Sequence, residues 1–115
     1  MISYQSIELR IKEVTDKTKD LAFMNKEQIF DMVAQIVAIS DDLSTYIRQL
    51  DIKISEEEGK VLEKAQKYKM NASMARILLK QVTSSLNTDK DWANRQIQLL
   101  SEIRMAALAA QRSAE

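Results

Sequence analysis

Of the side chains that carry chemistry, this 115-residue sequence has neither histidine nor cysteine. Those two run most nucleophilic, general-base and zinc chemistry in proteins. An enzyme built without them would have to desolvate a carboxylate, lysine or tyrosine in a pocket to give it a useful acidity. The acidic residues read otherwise: as helix caps, as solvated faces, or as partners of a lysine four residues on, as in Glu13 with Lys17 and Glu63 with Lys67. The densest acidic run, Glu56-Glu57-Glu58, follows Ser55. A serine cap with a glutamate three residues later, and carboxylates at the positive end of a helix, make it a helix start before they make it a metal site. One glycine, Gly59, is too few for a phosphate-cradling loop. The expectation is therefore no enzyme, with no catalytic, cofactor-binding or metal-ligating residue.

Two other groupings bear on binding. Lys60, Lys64, Lys67, Lys69, Arg76 and Lys80 follow one another with a single carboxylate, Glu63, among them. Projected on one helix, the first three cluster on one side while Lys69, Arg76 and Lys80 lie opposite, so they do not make the single cationic stripe that a groove-binding helix presents. Lys69, Arg76 and Lys80 are the candidate contacts of an alternative, nucleic-acid-binding reading. The same projection sets Val61, Ala65, Tyr68, Ala72, Ala75, Leu79, Val82 and Leu86 on one seam and Met70, Met74 and Ile77 on a second apolar strip about half a turn away. A helix in a small monomer needs one apolar stripe. Methionine suits an adaptable contact, so Met70, Met74 and Ile77 are the candidate protein interface.

The elements that must position these residues are helical. The chain has no proline and almost no glycine, so it has few places to stop being a helix. Tyr4, Ile7, Ile11, Val14, Thr18 and Leu21 recur at three and four residues, opposite a polar face of Glu8, Lys12, Glu13, Lys17 and Asp20. Asn25 with Gln28 forms the pattern of a helix cap and marks a break. Ile29, Val33, Ile36, Ser40, Leu43, Ile47, Leu50 and Ile54 continue the rhythm, widened by Phe30, Met32, Val37, Ile39 and Tyr46. Ser55 starts a third helix, the polar run Leu86 to Asp91 closes it, and Thr88 caps a fourth whose apolar set is Trp92, Leu99, Ile103, Ala106 and Ala110, flanked by Ala93, Ile97, Leu100 and Ala107. The expected helices span about 3–23, 26–53, 56–86 and 89–112 in one all-α domain over 1–115. Three to four long antiparallel amphipathic helices would pack as a coiled-coil-like helical bundle completed by self-association.

With 45% hydrophobic but only 5% aromatic residues, the core must be aliphatic. Seventeen basic and seventeen acidic residues cancel, which removes a global attraction to nucleic acid or anionic lipid and favours a protein partner. No apolar run is long enough to span a bilayer, and Met1-Ile2-Ser3-Tyr4-Gln5 lacks a secretory pattern, so a cytoplasmic, non-membrane protein is expected.

The second half, Glu56 to Ala114, resembles small helical accessory proteins of bacteriophage early regions. The likeness rests on Lys64-Ala65-Gln66-Lys67-Tyr68-Lys69, on Ala75-Arg76, and on Trp92 ahead of Leu99, Leu100, Ile103 and Arg104 with the closing Gln111-Arg112-Ser113. It implies a non-catalytic accessory that binds a host or phage protein or nucleic acid, and it transfers no functional residue. The expected function is protein–protein interaction, as a phage-type accessory or inhibitor of a host system that self-associates through the third helix. The alternatives are a helical nucleic-acid-binding accessory and a structural subunit of a larger assembly.

Overall fold

A computed structural model describes residues 4–113 and is all-α: helix α1 (Tyr4–Thr18), a 3-10 turn (Leu21–Phe23), helix α2 (Lys26–Lys67) and helix α3 (Ala72–Ser113). No strand occurs among the described residues. Among the described residues no helix is long and apolar enough to cross a membrane. α1 ends at Thr18, ahead of the expected Phe23. Thr15 and Thr18 both turn their hydroxyls back onto carbonyls one turn earlier, Ile11 and Val14. Such bonds compete with the ladder and favour a helix end.

α2 opens as its sequence predicts. The Asn25 N–H donates to Gln28 Oε1 at 3.0 Å and the Gln28 N–H to Asn25 Oδ1 at 2.9 Å. This reciprocal capping box satisfies two backbone donors that the first turn leaves orphaned. Met24 and Ile29 stand at the flanking positions where an apolar pair fixes the chain's entry into a helix.

The two expected later breaks are absent, and the expected third and fourth helices do not exist as such. α2 runs unbroken through Ser55 to Glu58, and α3 runs unbroken through Leu86 to Asp91. Both sites look like ends because a polar residue occupies the seam, yet the seam keeps its phase through each. Ile54, Glu57 and Val61 continue the spacing of Leu43 and Leu50, and Leu86, Lys90 and Ala93 do the same in α3. Glu57 is half-buried and meets Lys60 at 3.3 Å, and Lys90 reaches across to Asp51 on α2 at 2.7 Å. Thr88 caps nothing; its hydroxyl donates to the Ser84 carbonyl at 3.0 Å. A cap signature is worth about 1 kcal/mol, less than a continuous helix face gains by packing along its neighbour.

The break that does occur lies at 68–71. The Met70 N–H reaches back to the Ala65 carbonyl at 2.9 Å, closing α2 with a six-residue loop in which Lys69 takes φ 51°. Glycine favours that left-handed position, and a lysine there leaves the turn unannounced in the composition. Asn71 then caps α3 by accepting from the Met74 N–H at 2.8 Å.

The chain divides into two compact units. One takes α1, the part of α2 up to Tyr46 and the part of α3 from Ala93. In it α1 and α2 run antiparallel, because their contacts descend along α2 as they climb α1: Tyr4 with Tyr46, Arg10 with Asp42, Lys17 with Gln35. Its core is Ile7, Ile11 and Val14 of α1, Ile29, Met32, Ile36, Ile39 and Leu43 of α2, and Ala93, Leu100, Ile103 and Ala107 of α3. The other unit, Ile47–Trp92, is a helical hairpin whose helices meet at Asp51 with Lys90. Its buried residues, among those described, are Leu50, Val61 and Thr83.

Candidate functional site

The Ile47–Trp92 hairpin holds every residue that the sequence singles out for binding. It also carries large apolar side chains on its surface. Ile52, Leu62, Tyr68, Met74 and Ile77 are 60, 63, 64, 53 and 59% exposed. Two helices in contact share one interface, so each keeps an outer face with no third element of the unit to cover it.

Between the helices on one side runs a groove of about 320 Å³. Val61 and Tyr68 of the α2 side and Leu78 and Val82 of α3 form its apolar floor. Lys60, Lys64 and Lys67 line its rim with Glu57 and Glu63. Lys60 is held by Glu57 at 3.3 Å, whereas the Lys67 ammonium sits 5.6 Å from the centre of the Tyr68 ring. The cation and the aromatic face attract, which keeps both groups at the lip of the groove. The buried Thr83 hydroxyl donates to the Leu79 carbonyl at 2.8 Å and is thereby satisfied within α3.

The structure changes the geometry of both sequence-derived groupings. The projection onto one helix fails because residues 68–71 are a turn. Met70 lies in that turn, half-buried, at the position preceding the Asn71 cap, and does not continue the strip. Met74 and Ile77 remain together on the outer face of α3. The cations fare the opposite way. Lys69 stands in the turn while Arg76 and Lys80 project from the first turns of α3, so the six cations from Lys60 to Lys80 share the turn half of the hairpin, with Lys60, Lys64 and Lys67 along the groove. The rest of the hairpin is acidic. Asp51, Glu56, Glu57, Glu58, Asp89 and Asp91 share it with Arg48, Lys53 and Lys90.

Sequence reasoning missed the turn, hence the groove and the charge separation. The available signal was Asn71 three residues before Met74, a cap without the glutamate or glutamine that completes the usual pattern. In the expected fourth helix the emphasis also shifts: Leu99 and Ala106 are exposed, and the flanking Ala93, Leu100 and Ala107 are buried instead. Once the helix is continuous, its seam is set by Leu79, Leu86 and Ala93 upstream, and their phase rotates the face by about a residue.

Among the described residues no group of three acidic side chains comes together that could hold a metal ion. Comparison with known protein families, with curated proteins and with solved structures finds no match.

Proposed function

We propose that the chain acts by protein–protein interaction, without catalysis, and that the Ile47–Trp92 hairpin is the interacting element. The observation that supports this is the contrast in burial. Among the described residues the unit containing α1 buries twelve apolar side chains and the hairpin two, Leu50 and Val61, while large apolar side chains stand more than half exposed on both: five on the hairpin, and Leu9, Phe23, Phe30 and Met105 on the other unit. Exposed apolar side chains over so small a core suit a contact with a partner. On this reading Met74 and Ile77 belong to the contact face, and the chain is a phage-type accessory or inhibitor of a host system; its self-association and a coiled-coil-like bundle are part of the same proposal. A cytoplasmic setting accords with it.

The test is retention of a defined protein by the immobilised chain. Leu62→Glu and Ile77→Glu, both at exposed positions, should abolish retention, while Leu9→Glu, equally exposed on α1, should leave it intact. Equal loss in all three, or in none, would overturn the assignment to the hairpin.

The excess of Lys60, Lys64, Lys67, Lys69, Arg76 and Lys80 over one carboxylate, Glu63, in the turn half of the hairpin supports a second reading, in which that half contacts nucleic-acid phosphates. Each phosphate contact releases counterions, so affinity would fall steeply with salt, and neutralising Lys69, Arg76 and Lys80 would flatten the dependence. Absence of any shift of DNA or RNA at low salt removes it.

A further inference from the structure

The groove between the hairpin helices has two unlike walls. On α2, Val61 and Tyr68 stand together on its floor, and Lys64, Lys60 and Lys67 follow at about 60°, 100° and 120° round the helix from Val61. Glu63 comes only after them, at about 160°. On α3 the wall is apolar. Beyond Val82 and Leu78 on the groove side come Met74 and Ile77, at about 80° and 140° from Val82, whereas Arg76 and Lys80 lie on the other side of that helix.

The charge of the lysine wall is unmatched within the chain. Lys60 is held by Glu57 at 3.3 Å, but among the described residues Lys64 and Lys67 make no ion pair. The other unit shows the same two helices with a third beside them. There α1 buries its stripe of Ile7, Ile11 and Val14, and Arg10 with Asp42 adds an ion pair between α1 and α2. The hairpin has no third helix of its own.

We infer that the groove is the docking site of an amphipathic helix from another protein, its apolar stripe on Val61, Tyr68, Leu78 and Val82 and its carboxylates along the flank that meets Lys64 and Lys67. Apolar anchors at three- and four-residue spacing are what a groove between two helices accepts. From Glu57 to Tyr68 the groove runs roughly 17 Å, the length of three helical turns. The charge selects the occupant. A second copy laid groove to groove would bring the same lysines together, and α1 of a second copy carries three cations against three carboxylates, so neither answers the lysine wall. Nucleic-acid phosphate would answer it but leave the apolar floor and Met74 uncovered.

The inference rests on the interaction reading above and gives its partner a chemistry. The probes are labelled alanine-based helical peptides of about 18 residues with leucines at three- and four-residue spacing, one with glutamates along a single flank and one with lysines in their place. A third keeps the glutamates and replaces the leucines with serine. Anisotropy is read at about 0.15 M salt, where charges more than about 8 Å apart are screened. The acidic peptide should bind at least about tenfold more tightly than the lysine peptide, and the serine peptide should not bind. Lys64→Gln with Lys67→Gln should weaken the acidic peptide about tenfold and Arg76→Gln with Lys80→Gln less than about twofold; all four positions are exposed, and circular dichroism should show both chains as helical as wild type. The acidic peptide should shift the amide resonances of Val61, Tyr68, Leu78 and Val82.

Equal binding of the acidic and lysine peptides, equal loss in the two double variants, or shifts confined to residues outside the groove would each overturn the inference. So would a duplex DNA of about 20 base pairs that displaces the acidic peptide and binds more tightly, or a dimer of the chain that excludes it. A chain that binds no peptide yet retains a protein through Leu62 and Ile77 would overturn it while leaving the interaction reading standing. A chain that binds no peptide and retains no protein sinks both.

Discussion

At the scale of single residues, three positions carry separable consequences. Gly59 lies within α2, exposed, and a Cβ built there meets no atom within 4 Å. Glycine in a helix interior is conformationally expensive, so Gly59→Ala should raise stability by about 0.5–1 kcal/mol, measured by denaturant unfolding. Lys69 has the opposite problem. Its φ of 51° is unfavourable for a side chain with a Cβ, and Lys69→Gly should stabilise by about 1 kcal/mol with helix content unchanged. Met74 is half-exposed on α3 with its backbone N–H held by the Asn71 cap. Met74→Glu should leave the melt within a degree or two of wild type and weaken partner retention. A large loss of stability would instead place the side chain in intrachain packing.

At the scale of elements, the ends of α2 and α3 are built by different local chemistry. Asn25 and Gln28 exchange two hydrogen bonds, whereas Asn71 makes one to Met74. Removing either cap as Asn25→Ala or Asn71→Ala should cost about 1 kcal/mol. The capping box at Asn25 is legible in sequence because both partners are four residues or fewer apart. The apolar stripes are legible for the same reason: Ile7, Ile11 and Val14 on α1 and Ile29, Ile36, Leu43 and Leu50 on α2 are buried where their spacing places them. The Ser55 to Glu58 and Leu86 to Asp91 signals are just as local and mislead. A serine or threonine followed by carboxylates is compatible with a helix start and with the solvent face of a helix that continues. Seam positions taken by Glu57 and Lys90 are tolerated because each finds an opposite charge nearby, Lys60 within α2 and Asp51 on the neighbouring helix.

At the scale of the whole molecule, the two units differ in how much each buries. In the unit containing α1, truncating a core residue should be costly: Ile36, 1% exposed, should lose about 2–5 kcal/mol as Ile36→Ala. The hairpin, with little fully buried, should open more readily by itself. Amide exchange at low concentration should therefore be slow for residues 29–43 and 97–107 and faster for residues 54–82. Slow exchange over 54–82 would contradict the sparse burial.

The helical class, the stripes that face inward and the start of α2 were determined by sequence alone, since each depends on backbone propensity or on residues within one or two turns. Where the chain reverses was decided by tertiary structure. α2 continues past Ser55 because its seam stays in phase with α3 beside it, and it ends where Lys69 accepts a left-handed conformation with no glycine to announce it. Moving that turn moved the chemistry as well. Cations that one projected helix spreads along its length come to share the turn half of a hairpin, and a strip of three becomes Met74 and Ile77, because position along a helix becomes position in space only once the turn is known.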